Sequence, residues 1–354
     1  MSAADWMVVD TGLRPAPEHM ALDMAFMAAC DAAEIGSCFR FLRFEPSALL
    51  GFHQSPEQEL DLAYCREHGI AVQRRLTGGG AIVFDPQQLG WELVCRRSAL
   101  PAGDMSAMAR IICEAAARGL GHLGIDARFR PRNDIEVEGR KISGTGGIMD
   151  GEVVLFQGTV LLDLDIATML RILRVPVEKL DAHAIASVSE RVTSLRHLLG
   201  ETPALAAVEG ALLQGFTEHL GMRFAPAPLP RAVAERLPAA LDEVTAPEWL
   251  GMQGRGREWM PQKSAVLRVP GGTLRAEILL DQFGNRLRQV HFSGDYFVQP
   301  RRAVVDLEAA LRNIHMDDLR AVVQSFFAER EWDGFGLLPE NFADVVQRAA
   351  EAQT

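Results

Sequence analysis

The chain has 354 residues, a formal net charge of −11, 48% hydrophobic residues and 23% charged residues. That length exceeds one ordinary core and predicts two domains, while the composition excludes a disordered chain. An acidic balance with no long basic run excludes nucleic acid as the expected partner, and no apolar run approaches the roughly 20 residues that cross a bilayer. Met1 to Asp10 lacks the basic and apolar regions of a signal peptide, so a cytoplasmic location is expected. The five cysteines (Cys30, Cys38, Cys65, Cys95 and Cys113) form no Cys-x-x-Cys pair. They read as free thiols of a reducing compartment, with no zinc site.

His19 to Ala33 is an apolar helix rich in alanine and methionine, with acids scattered through it; its Met stripe reads as core. Phe39–Phe44 and Ser47–Gly51 read as strands split by Glu45-Pro46. Asp61–His68 reads as a helix that Gly69 ends. Ile70–Gln73 and Trp91–Cys95 are strands, and Asp104 caps a helix reaching about Leu120. Strands around Ile135 and Val137 precede a turn at Glu138-Gly139, followed by a strand over 153–162. Asp165 caps a helix over 166–173, closed by Pro176. Thr202-Pro203 starts a helix that ends near Gly221. Composition then turns proline- and glycine-rich, which places a linker within 225–260. Three strands (265–269, 274–281, 287–292), with a turn at 283–285, and two helices (303–314, 316–330) complete the chain.

Two stretches carry chemistry. Gln73 to Asp85 reads QRRLTGGGAIVFD, and three glycines permit positive φ and a close approach of backbone N–H groups to an anion. Arg74 and Arg75 stand at the mouth of that concavity. A tight hairpin turn accounts for three glycines equally well. Arg132 to Gly147 reads RNDIEVEGRKISGTGG, followed by Gln157-Gly158-Thr159.

Together these blocks resemble the lipoate–protein ligases of the biotin/lipoate ligase superfamily. The matching residues are Arg74–Ala81, Asn133-Asp134-Ile135, the Lys141–Thr145 turn and Gln157-Gly158-Thr159. Weaker echoes lie at Ser47–Gln54 and Ser189–Leu195, and Gly294–Phe297 resembles part of the small C-terminal domain of the longer ligases. The resemblance implies an α+β fold: a mixed-sheet catalytic domain over 1–240 with helices packed on it, a linker over 241–260, and a small α/β accessory domain over 261–354. It implies an ATP- and Mg²⁺-dependent enzyme that converts lipoate to lipoyl-AMP and passes the lipoyl group to a lysine.

Residue by residue, the resemblance implies that Lys141 is catalytic, its cation stabilising the substrate carboxyl and phosphoryl oxygens. Asp134 becomes the Mg²⁺ ligand, and Asn133 bonds the adenylate. Arg75, Thr77, Gly78, Gly79, Gly80 and Ala81 line the phosphate, with Gly144 and Thr145 opposite, and Gln157, Gly158 and Thr159 beside them. Ile82, Val83 and Phe84 suit the wall of an acyl slot. The family usually has histidine at the positions of Phe84 and Gln157. Gln157 can donate and accept hydrogen bonds without carrying a proton, and Phe84 can do neither.

Two alternatives stand beside this reading. An octanoyl or lipoyl transferase of the same fold would work through a cysteine thiolate and a thioester, but 126–140 and 160–180 contain no cysteine. A relative that binds lipoyl-adenylate or an acceptor without turnover is the other. Expected partners are lipoyl-acceptor proteins: the acyltransferase (E2) subunit of a 2-oxoacid dehydrogenase, the glycine cleavage H protein, or a lipoate-binding protein of sulfur oxidation.

Overall fold

A computed structural model describes residues 5–174, 188–251, 261–281, 283 and 285–352. By packing these form two units: one takes in residues up to 49, 59–76 and 82–246, the other 50–58, 77–81 and 247 onward. Among the described residues eleven strands precede residue 247: β1 (Asp5–Arg14), β2 (Cys38–Phe44), β3 (Ser47–Leu50), β4 (Ala71–Arg74), β5 (Ile82–Phe84), β6 (Gln88–Arg96), β7 (Arg128–Arg130), β8 (Asp134–Val137), β9 (Arg140–Asp150), β10 (Val153–Leu161) and β11 (Arg223–Pro226). Eight of them build the first unit's main sheet, in the order β11-β1-β2-β6-β10-β9-β8-β7. β1 runs parallel to β2 and β11, and the other pairs are antiparallel, so the sheet is mixed. A small β4-β3-β5 sheet carries the sequence on either side of the glycine run.

β6 is central, and from Gln88 to Cys95 every residue is buried. Side chains alternate across a strand, so its two faces meet different partners. On one face Trp91 packs on Phe39 and Phe216. There the helices Met105–Gly121 and Leu205–Leu220 cross closely: a Cβ on Gly215 would lie 2.3 Å from the Gly119 nitrogen. On the other face lies helix α1 (Ala16–Asp31), buried nearly all round. That burial explains its lack of amphipathicity, because the helix Arg231–Thr245 covers its outer side. Asp61, Asp104 and Asp165 each cap a helix, accepting from Tyr64, Ala107 and Thr168. Gly69 takes φ +65° after the first of these.

The structure departs from the sequence expectations in identifiable ways. β1 forms where only a non-secretory N-terminus was expected. The Lys141–Thr145 motif lies inside the eleven-residue strand β9, not in a turn; the turn is confined to Glu138 and Gly139, both at positive φ. Proline richness misleads at 225–260: Pro226 sits on the edge strand β11, where a missing N–H costs little, and Arg231–Thr245 is a helix containing Pro238. Residues 252–260 of the expected linker, Pro176, and 282 and 284 beside the expected 283–285 turn lie outside the described residues. The helix foreseen at Thr202-Pro203 begins at Leu205, with Ala204 as its cap.

The second unit holds β12 (Lys263–Val269), β13 (Gly272–Leu280), β14 (Arg286–Gly294) and β15 (Ile314–His315), in that order in one antiparallel sheet. The helices Ala303–Ala310, Leu319–Ala328 and Pro339–Glu351 pack on it around Leu274, Ile278, Phe292, Tyr296, Phe327 and Phe342. The third helix was not expected, although Phe342, Val345, Val346 and Ala349 recur at helical spacing and are all buried.

Candidate active site

In the first unit Lys141 enters β9 at a point where the ladder with β8 bulges between Ile135 and Glu136. Its backbone is clipped on the other side by the Ser189–Leu195 echo: its N–H donates to the Arg191 carbonyl at 2.8 Å, and its carbonyl accepts from the Thr193 N–H at 2.9 Å. The Lys141 Nζ lies 2.6 Å from Asp134 Oδ1. The other Asp134 oxygen takes Arg130 Nη2 at 2.7 Å, and Arg130 Nη1 reaches Glu136 at 3.2 Å. Two cations therefore face two carboxylates, and the group is neutral as a whole. The side chains of Lys141 and Asp134 are 37% and 20% exposed, so a ligand can reach both.

Gly144 is paired with Asp134. A Cβ there would lie 2.9 Å from the Lys141 Cε and Nζ, so the missing side chain makes room for the lysine to fold over its own strand. Thr159 on β10 accepts the Gly144 N–H at 3.3 Å. Asn133 and Thr145 bind each other: the Thr145 hydroxyl donates to the Asn133 carbonyl at 2.7 Å, and the Asn133 amide donates to the Thr145 carbonyl. Gly158 has a packing reason of its own, since a Cβ would sit 2.1 Å from the Trp91 ring. Lys141, Asp134, Asn133, Gly144, Thr145 and Thr159 are thus brought together by strand register.

Other expected site residues are placed differently. Arg74 and Arg75, expected at an open mouth, are buried. Arg75 Nη1 donates to the Leu49 carbonyl at 3.2 Å, and burial pulls its guanidinium down to about 10, which leaves it charged at neutral pH. Phe84 is buried with its ring tilted against Phe44 at 4.4 Å, which in turn meets His19 at 4.5 Å. It is core packing, whereas Ile82 and Val83 are half-buried. Thr77 to Ala81 belong to the second unit. There the Gly79 N–H donates to the Tyr296 carbonyl at 3.3 Å and the Thr77 carbonyl accepts from Phe52 N–H at 2.9 Å. A Cβ on Gly78 would lie 2.5 Å from that same Tyr296 oxygen.

A family model described as the lipoyl protein ligase A/B catalytic domain matches residues 15–217, more than half of the chain. The protein belongs to this family. It is an enzyme of the lipoyl and octanoyl transfer class. Octanoyltransferase LipM of Kyrpidia tusciae is 30% identical over 269 residues, covering 69% of this chain and 97% of its own. Lipoate-protein ligase A subunit 1 of Thermoplasma acidophilum is 31% identical over 195 residues, 52% of this chain and 72% of its own. Among solved structures, the bi-partite lipoate protein ligase of T. acidophilum has a TM-score of 0.63 at 26% identity, covering 72% of this chain and 99% of that one. LipL1 of P. falciparum, in complex with lipoate, shares the fold across 99% of this chain and 100% of its own, with a TM-score of 0.74 at 15% identity.

Against this family background, the sequence reasoning missed Arg130, which no motif marks, and a buried network beside Gln157. Asp23 of α1 and Glu92 of β6 flank Arg40 of β2, all three fully buried. Arg40 Nε donates to Glu92 at 2.5 Å and Nη2 donates to Asp23. Burial, reinforced by the nearby Glu92 charge, holds Asp23 well above the usual carboxylate range. The available signal was three charges set at inward positions of otherwise apolar segments, where unpaired burial is costly. No described helix is long and apolar enough to cross a membrane.

Proposed function

We propose that the protein is an ATP-dependent lipoate–protein ligase. It activates lipoate to lipoyl-AMP with release of pyrophosphate, then transfers the lipoyl group to a lysine amine of an acceptor lipoyl domain. Lys141 supports the first step by its accessibility and its exchangeable partner. A polyphosphate carries more charge than Asp134 and competes for the ammonium, leaving the lysine to stabilise charge on the acyl and phosphoryl oxygens. Among the described residues no cluster of three or more metal-binding side chains exists, but Mg²⁺ needs only one or two carboxylates when substrate phosphates and water complete its shell. Asp134 fits that limited role, where the ion would offset phosphate charge.

What favours ligation over thioester transfer is the state of the thiols. All five cysteines are buried. Burial pushes Cys38 and Cys113 up to about 12, and Cys30, Cys65 and Cys95 are raised as well. At that value only about one thiol in 10⁵ is ionised at pH 7, and the thiolate is the nucleophile. Cys113 reaches the site's strand, but its sulfur meets the Thr145 hydroxyl at 3.4 Å inside the helix–sheet interior.

The test is to combine the full-length protein with ATP, Mg²⁺, lipoate and an acceptor domain, then follow pyrophosphate and acceptor mass. Pyrophosphate with a lipoyl mass gain is the expected result. A gain only from an octanoyl-carrier thioester would replace ligation by transfer, and neither product would leave binding alone. The acyltransferase subunit of a 2-oxoacid dehydrogenase, the glycine cleavage H protein and a sulfur-oxidation lipoate-binding protein are the acceptors to compare.

A further inference from the structure

In the first unit a hollow of about 780 Å³ lies between the helix Met105–Gly121 and β7, the strand that ends the main sheet. Arg110 and Arg118 line it from the helix, and Arg128 and Arg132 from the strand side, in a chain whose formal net charge is −11. Arg110, Glu114 and Arg118 stand four residues apart, so they climb one face of the helix.

A guanidinium carries five N–H donors, and few of those here are used. Arg110 gives only Nε, to Glu114 at 3.0 Å, and Arg118 gives only Nε, to Glu218 at 2.7 Å. Arg128 gives Nε and Nη2 to Asp126. The Arg132 side chain is exposed and makes no hydrogen bond or ion pair among the described residues. Both Nη groups of Arg110 and Arg118, Nη1 of Arg128 and the whole Arg132 fork are therefore left to water, or to whatever displaces it. The three paired arginines are more than half exposed, so their pairs are weak and add little resistance to a ligand.

Distance decides the kind of ligand. From Arg110 to Arg118 the helix rises about 12 Å, and an extended chain from Arg128 to Arg132 covers about 13 Å. One phosphate or carboxylate reaches one or two of these forks. Four of them spread over that span suit a surface bearing several carboxylates, each of which can pair with arginine bidentately. The hollow also adjoins the site, because Arg132 precedes Asn133 and the chain from it to Asp134 spans at most about 7 Å. A protein resting there already lies against the Lys141–Asp134 pair.

We infer that this hollow docks the acceptor domain through aspartate and glutamate side chains near its target lysine, and that Arg110, Arg118, Arg128 and Arg132 select acceptors by charge. These residues touch neither the acyl group nor the nucleotide. The inference rests on the acceptor half of the proposed function and not on how the acyl group is activated.

The test compares full-length wild type with Arg110→Glu/Arg118→Glu, Arg132→Glu and Arg110→Lys/Arg118→Lys. Binding of each of the three unmodified acceptors is titrated, and transfer from preformed lipoyl-AMP is followed to the acceptor or to hydroxylamine. The Glu variants should bind an acceptor at least about tenfold more weakly at low salt, and about 0.5 M salt should close most of that gap. Transfer to hydroxylamine, which has no surface to dock, should stay within about threefold and shows that the variants fold. The Lys variant keeps the charge and should bind within about threefold of wild type. Acceptor binding unchanged in the Glu variants, or equal losses with hydroxylamine, would overturn the inference. If binding is unchanged and tripolyphosphate raises the melting midpoint of wild type but not of the Glu variants, the hollow is a small-anion site instead. If wild type binds an acceptor but exchanges no pyrophosphate with ATP and lipoate, the ligase reading falls alone, and the variants are still read on acceptor binding.

Discussion

Two charged groups lie on one unit's main sheet, and they differ in what surrounds them. Arg130, Lys141, Asp134 and Glu136 balance two cations against two carboxylates at side-chain exposures of 20–38%. Asp23, Arg40 and Glu92 set two carboxyl groups against one cation at 0% exposure, and burial keeps the proton on Asp23 far above the usual carboxylate range. Water screens the first group, so its pairs are individually weak and a ligand can exchange for them. The second is screened by nothing, and breaking it leaves an uncompensated buried charge. One cluster has pairs that a ligand can exchange for; the other is a fixed frame that bonds Gln157 at its edge.

The largest effect is expected where that frame is broken. Arg40→Leu leaves Asp23 and Glu92 facing each other without a cation and should cost about 3–5 kcal/mol of stability, read from the denaturant midpoint. A loss below about 1 kcal/mol would mean the network is not a closed ionic unit. Lys141→Ala should do the opposite, leaving the midpoint nearly unchanged while lipoyl-AMP formation falls by about 10²–10³-fold, the usual consequence of removing a charge-stabilising donor. Wild-type pyrophosphate release from this variant would take Lys141 out of the chemistry.

The contrast also sets a pH dependence. Because Asp23 binds its proton more tightly in the folded chain than in the unfolded one, stability is greatest below the ordinary carboxylate range and declines as pH rises through the raised folded value. Asp23→Asn, whatever its offset in absolute stability, should flatten this slope, which reaches at most about 1.4 kcal/mol per pH unit. Urea midpoints measured from about pH 4 to pH 8 read the difference directly. Parallel slopes in the two proteins would show that Asp23 does not hold the proton.

How much of this was legible in the sequence follows the range of the forces involved. Local signals held: the aspartate caps at Asp104 and Asp165, the positive-φ Gly69, and the Asn-Asp and Lys-Ile-Ser-Gly-Thr blocks that register brings together. Long-range placement was not available. Arg40, Glu92 and Asp23 are 17 and 52 residues apart in their pairings, so no window of sequence shows that they neutralise one another. Phe84 reads as a pocket wall, and its packing against the Phe44 ring is a long-range contact that no window of sequence shows. The glycine run reads as a ligand cradle, and no window of sequence shows that the backbone of Tyr296, far along the chain, lies against Gly78 and Gly79. Proline content at 225–260 suggested a linker because composition cannot weigh the apolar face that Val233, Ala240 and Val244 bury.

The smallest effect should fall on Arg130, and it sharpens the comparison most. Its guanidinium bridges Asp134 and Glu136 with a side chain 38% exposed, so Arg130→Gln should change stability by less than about 1 kcal/mol. If the residue only decorated the surface, adenylate formation would not change either. If it holds one oxygen of Asp134 while the other faces Lys141, its loss frees the carboxylate to turn toward the ammonium with both oxygens. Substrate must then compete with a tighter pair. Pyrophosphate exchange should accordingly show a raised KM for ATP with a smaller change in kcat, and added salt, which screens exposed pairs, should narrow the gap between variant and wild type. An unchanged KM for ATP would assign Arg130 to the solvated surface and leave Lys141 and Asp134 as a self-sufficient pair.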